Sequence, residues 1–194
     1  MVRYLKIWGY IWLVIGVLGI ASVYLPLVFQ EARYRVDAPS PETVQSQSAA
    51  AAVQETLHPF EHAIYVPKIG ALSKVISNVD PTNEQEYLLA LQNGVAIASQ
   101  QKPLFLFAHS AGSELFRARY NAVFYLLNKL EKDDEFFIKQ DGVVQKYTVT
   151  RITEVAPEEV GAVQNNSDDA VLMTCTPPGT TLRRLLIFGK KTEM

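Results

Sequence analysis

The chain has 194 residues, enough for one domain and an appendage. Its 18 basic and 20 acidic side chains leave a net charge of −2, which excludes the basic surface that nucleic-acid binding requires. The single cysteine, Cys175, excludes an intramolecular disulfide and any zinc site built on paired cysteines.

In chain order, residues 1–6 form a short tail with Arg3 and Lys6. From Ile7 to Phe29 (7–29) no residue is charged. About 23 apolar residues are enough to cross a hydrocarbon core of about 30 Å. Trp8, Tyr10 and Trp12 lie near one end and Tyr24 near the other, where interfacial aromatics sit. A signal peptide has a shorter apolar core, roughly 7–15 residues, so a retained transmembrane anchor is expected. Arg33 and Arg35 follow the span and balance the basic residues before it, so charge does not orient it. Residues 30–57 are rich in Ser, Ala, Pro and Gln and read as a spacer, with the alanines at 49–52 able to form a helix.

Residues 58–194 have a globular pattern. His58 and His62 have i,i+4 spacing, but Pro59 between them argues against the helix that would present both to a metal. No metal site is expected. "AIYVPKI" (63–69) and "SKVIS" (73–77) read as strands broken by Pro67 and Gly70. "PTNEQEYLLALQNG" reads as a helix with a Thr82/Gln85 capping box, ended by Gly94. "VAIAS" and "PLFLFAHS" read as strands. "ELFRARYNAVFYLLNKL" reads as a helix with Leu115, Phe116, Tyr120, Val123, Phe124 and Leu127 near one side. "EFFIK", "VVQKYTVTRITEV", "DAVLMTC" and "RRLLIFGK" complete a set of seven or eight short strands with only two helices. That pattern is all-β dominated and points to a closed or nearly closed barrel.

Two side chains compete as nucleophile. "FLFAHSAGSELF" has the strand, His-Ser-x-Gly and helix of a hydrolase elbow, with Ser110 as nucleophile. That fold places its histidine after the serine, and no histidine follows His109. The other arrangement pairs His109 with Cys175, each at the end of a predicted strand. An ordinary thiol is mostly protonated at neutral pH. An imidazole beside it can take the proton and return it to a leaving amine. Arg183 and Arg184 open the next strand, where a guanidinium can donate to a developing oxyanion. Composition alone favours a buried, inert cysteine.

The residues around Cys175 resemble the sortase family. "VLMTC" is similar to that family's Thr-Leu-x-Thr-Cys signature, with Val171 in place of the first Thr. "TPPGTTLRRLLIFG" looks like the Thr-Pro-Tyr-Gly…Arg-Leu-Leu segment of pilin-type (class C) sortases, with Pro178 in place of Tyr. "FAHS" stands where sortases carry their histidine, "YVPKIG" resembles their first barrel strand, and "VFYLLNKLEKDDEFFI" has the expected spacing. His109 is followed by Ser-Ala-Gly in place of the common Arg, and the spacer has no Asp-Pro-aromatic lid motif, so the class stays open.

The resemblance implies an eight-stranded sortase-like barrel with two or so short helices behind one N-terminal transmembrane helix. It implies a cysteine transpeptidase with Cys175 as nucleophile, His109 as general acid/base and Arg184 as the arginine. Thr174 and Thr176, flanking the cysteine, would touch substrate. Partners would be secreted proteins bearing a C-terminal sorting signal, cleaved at a Thr-Gly-like bond, and an acceptor amine of a cell-wall precursor or a pilin lysine. The catalytic domain would lie outside the cytoplasm, held at the cell membrane by a single pass. No cofactor is expected. Acidic residues at 133–135 and 154–159 are the candidates for calcium, with a solvated loop the favoured alternative. The rival readings are a non-catalytic, membrane-tethered barrel that binds peptides, and the Ser110 hydrolase.

Overall fold

The computed structural model describes residues 12–19, 21, 25, 32, 46–80, 82–99, 102–110, 122–163 and 167–193. Eight strands form one closed barrel: β1 (Ala63–Val66), β2 (Ala71–Ile76), β3 (Val95–Ser99), β4 (Leu104–Phe107), β5 (Glu135–Gln140), β6 (Val143–Val155), β7 (Ala170–Thr176) and β8 (Arg183–Thr192). Their order around the barrel is β1-β2-β3-β4-β7-β8-β6-β5. Among the described residues from Ser46 onward, α-helices α1 (Ser46–Leu57), α2 (Glu84–Asn93) and the single-turn α3 (Val160–Val163) accompany them.

Most neighbours are antiparallel, but β2–β3 and β4–β7 are parallel. A parallel pair needs a crossover. Helix α2 supplies the first, and the long excursion through β5 and β6 supplies the second. Strand alternation divides the apolar side chains between two faces. Ile64, Val66, Val75, Ile97, Leu106, Phe136, Ile138, Leu172 and Ile187 belong to the cluster that fills the barrel. Phe105, Val155, Val171, Leu186 and Phe188 form a second cluster on the outer face.

Helix α2 starts one residue later than the sequence suggests. Asn83 is the cap, its side chain accepting from Glu86 N, while Thr82 Oγ1 donates to Asp80 Oδ1 at 2.7 Å. The helix expected over "ELFRARYNAVFYLLNKL" falls partly on 111–121, outside the described residues. Its second half is a series of turns ending in a 3-10 turn at Leu127–Lys129, so that part of the expectation is corrected. Ala122, Phe124, Leu126, Leu127 and Leu130 are buried there.

The stretch expected as spacer contributes α1 to the domain. Val53 and Leu57 pack with Ala63, Phe137 and Val144. The buried Lys139 Nζ donates to Leu57 O at 3.1 Å, a cation on a helix C-terminus. Further upstream, Trp12–Gly19 are helical, with Trp12, Leu13, Val14, Ile15, Val17 and Leu18 exposed. No helix among the described residues is long and apolar enough to cross a membrane, and most of the expected span over 7–29 lies outside them.

Candidate active site

The site is built by three adjacent strands, β4, β7 and β8. In the parallel β4–β7 pair Phe105 is level with Val171 and Phe107 with Met173. Beyond the end of β4, Ala108 N still donates to Met173 O at 3.2 Å. Two residues past Phe107 is His109, and two residues past Met173 is Cys175. In the antiparallel β7–β8 pair Phe188 is opposite Val171, Leu186 opposite Met173, and Arg184 opposite Cys175. The same alternation therefore runs through all three strands. Two apolar rows, Phe105–Val171–Phe188 and Phe107–Met173–Leu186, lead to the opposed pair Cys175 and Arg184 at one rim of the barrel, with His109 two residues past the end of β4.

The apolar rows are the floor of the outer face. Val155 of β6 lies opposite Arg184, and Val160 packs over the cluster from the connection between β6 and β7. At the far end the Arg151 guanidinium lies 3.5 Å above the Phe188 ring and within 3.4 Å of Asp168. Cys175 and His109 are both half-buried. Burial pushes the His109 imidazole below its ordinary pKa of 6.5, because desolvation penalises the charged form. A neutral imidazole is the form that accepts a proton from a thiol.

The two arginines are separated by the strand period. Arg183 is exposed and opposite Thr176; its Nη2 donates to Glu154 O at 2.9 Å and its Nε lies 3.8 Å from the Glu154 carboxylate. Arg184 shares the Cys175 face, and its Nη1 donates to Thr181 O at 3.0 Å and to Arg183 O at 3.3 Å. The turn between β7 and β8 thus holds one terminal nitrogen of this guanidinium.

The two threonines, expected to touch substrate, are both buried. Thr174 is only 4% exposed, and its Oγ1 donates to Ala108 O at 2.8 Å. Thr176 is buried, with Oγ1 3.5 Å from Glu154 Oε1. Alternation turns both to the face opposite Cys175. Ser110 is buried too, at 3% exposure, and a closed barrel is not the doubly wound sheet that a nucleophile elbow needs. His62 pairs with Asp141 at 3.8 Å. The acidic segments have protein partners. Asp134 Oδ2 accepts from Lys68 Nζ at 2.9 Å, Glu135 lies 3.4 Å from Lys146 Nζ, and Glu159 Oε2 accepts from Ala156 N at 2.9 Å. Among the described residues no three His, Cys, Asp or Glu side chains are grouped to hold a metal ion.

Comparison with known proteins agrees with this geometry. The family profile described as Sortase domain matches residues 64–192. No curated protein matches the chain by sequence. Among solved structures, sortase C-1 from Actinomyces oris is 27% identical, with a TM-score of 0.56 over 81% of this chain and 84% of that one. Clostridium perfringens sortase C, solved with the C-terminal cell wall sorting motif, is 24% identical, with a TM-score of 0.55 over 68% of this chain and 70% of that one. The pilus-related sortase C of Group B Streptococcus is 20% identical, with a TM-score of 0.56 over 87% and 88%. The last two bear on the fold alone. With the profile covering most of the chain, and the barrel, the cysteine strand and the arginine strand in place, the protein belongs to the sortase family of cysteine transpeptidases.

Proposed function

We propose that the protein is a membrane-anchored sortase that cleaves a C-terminal sorting signal at a Thr-Gly-like bond and passes the acyl group to an amine. The observation that carries this reading is Cys175 directly opposite Arg184 on neighbouring strands, with His109 just past the end of the strand on the other side of β7, beside an apolar floor.

Neutral His109 takes the thiol proton as Cys175 Sγ bonds to the scissile carbonyl carbon. The carbonyl oxygen becomes an oxyanion, to which the Arg184 guanidinium donates. As the C–N bond breaks, the proton on His109 passes to the leaving amine, and an acyl thioester remains on Cys175. In the second half an acceptor amine attacks the thioester and gives its proton to His109, the C–S bond breaks, and the thiolate is reprotonated. Water in place of the amine gives hydrolysis. The steps call on no cofactor. A sorting-signal substrate and a pilin lysine acceptor follow from the pilin-type pattern around Cys175; the structures sharing the fold include a sortase C solved with the C-terminal cell wall sorting motif and a pilus-related sortase C. The uncharged stretch 7–29 supports an anchor, and exported substrates place the domain outside the cytoplasm.

The test is to incubate the full chain in detergent with a panel of Leu-Pro-x-Thr-Gly-like peptides and examine it by mass spectrometry. An acyl adduct on Cys175 that an added amine discharges is expected. Turnover with no adduct at Cys175, or an adduct on Ser110, would overturn the assignment. A reporter fused at the C-terminus should work only outside the cytoplasm.

A further inference from the structure

We infer that Thr174 is a positioning residue for His109, acting through the backbone of Ala108; the inference rests on the proposal that His109 and Cys175 exchange the proton. β4 ends at Phe107, so His109 lies beyond the regular ladder. Three hydrogen bonds hold the backbone that carries it. Ala108 N donates to Met173 O at 3.2 Å, and Phe124 N donates to His109 O at 3.3 Å. The third and shortest is Thr174 Oγ1 to Ala108 O, at 2.8 Å, and it is buried.

The placement gives Thr174 leverage on both partners at once. It directly precedes Cys175 in β7, and its hydroxyl grips the carbonyl directly preceding His109. Alternation sends the Thr174 side chain inward and the Cys175 thiol outward. In this arrangement the hydroxyl is engaged with the backbone and ties the end of β7 to the segment that follows β4. A displacement of about 1 Å between reacting groups can cost about 10²-fold in rate. A buried carbonyl left without its donor also gains a reason to move.

Three substitutions separate this role from packing. Thr174→Ser keeps the hydroxyl and loses the methyl, Thr174→Val keeps the shape and loses the hydroxyl, and Thr174→Ala loses both. Transpeptidation kcat should fall by about 10–100-fold in Thr174→Val and Thr174→Ala and by less than about threefold in Thr174→Ser, with KM little changed. The pH profile of Cys175 alkylation by iodoacetamide, in the full chain, should shift in the Val and Ala variants and match the wild type in Ser. If Val fails to fold, the Ser–Ala comparison decides, since both lack the methyl and differ only in the hydroxyl. A near-wild-type Val with an impaired Ser, or equal rates for Ser and Ala, would overturn the inference. Full activity in His109→Ala or Cys175→Ala would instead overturn the proposed pair itself.

Discussion

Cys175 and Arg184 stand directly opposite each other in the β7–β8 ladder, and Arg183 stands opposite Thr176 one step along. Directly opposed residues share a face of the sheet, so only one of two consecutive arginines can serve the thiol. Losing an oxyanion donor typically costs about 10²–10³ in rate. Arg184→Ala should show a loss of that size in kcat. Arg184→Lys should also be poor, because an ammonium keeps the charge without the planar fork. Arg183 is exposed and bonded to Glu154, so Arg183→Ala should turn over near the wild-type rate, with a stability change of about 0.5 kcal/mol or less. Steady-state kinetics on the three variants check the ranking, and the reverse order would place the wrong arginine at the site.

The two serine and cysteine candidates separate just as cleanly. Cys175→Ala should abolish both cleavage and transpeptidation while the far-ultraviolet circular dichroism stays native, since one small half-buried side chain is lost at a strand end. Ser110→Ala should retain turnover. A dead Ser110→Ala beside an active Cys175→Ala would restore the hydrolase reading.

Much of this arrangement was legible because it is local or periodic. The Cys175–Arg184 side of the site needs only a strand, a turn and the period of two. The His109–Cys175 side comes from a parallel pairing between distant segments, and the sequence hinted at it only through two predicted strand ends and the family's residue pattern. The bond made by Thr174 was hidden for the same reason. Its partner is a backbone carbonyl 66 residues away, and nothing in a residue pattern marks a backbone acceptor. The spacing of Val123, Phe124 and Leu127 fits a helical face, yet Phe124, Leu127 and Leu130 are buried along turns that end in a 3-10 turn. Helix α1 looked like spacer because it has few large apolar side chains; two of them, Val53 and Leu57, suffice to dock it.

That docking can be measured. Leu57 is fully buried, and Lys139 bonds its carbonyl. Leu57→Ala should cost about 2–5 kcal/mol, as large-to-small core changes do. Urea denaturation of the full chain gives the value. A loss below about 1 kcal/mol would mean that α1 is a passenger on the barrel.

The buried imidazole sets a pH dependence of stability. Burial lowers the His109 pKa from 6.5 in the folded protein. Between that lowered value and 6.5 the unfolded chain binds the proton more readily, so the unfolded state gains from acidification. Stability should therefore fall as pH drops below 6.5 and stop falling from this source once the folded pKa is passed. His109→Gln should remove this component. Urea midpoints for both proteins between pH 7.5 and 5 check it, and parallel curves would show that His109 does not contribute.

Gly189 in β8 tests the packing behind the site. A Cβ added there would lie 2.5 Å from Phe136 Cζ and 2.7 Å from Phe136 Cε1. The Phe136 ring cannot retreat easily. It is fully buried and stacked on Tyr147, with centroids 5.2 Å apart and planes 9° from parallel. Tyr147 is itself held by a bond from its hydroxyl to Gln145 Oε1 at 2.9 Å. Gly189→Ala should thus overpack the barrel and destabilise it by about 1–3 kcal/mol, although alanine is otherwise the better strand residue. Arg184 lies towards the other end of β8, so the protein that remains folded should keep its kcat. Combining Gly189→Ala with Phe136→Leu removes the far end of the ring. The double variant should then be more stable than the two single losses added together, because the two sites share one space. Denaturation midpoints for the four proteins measure this coupling. A Gly189→Ala protein as stable as the wild type would mean that the ring stack has room to shift.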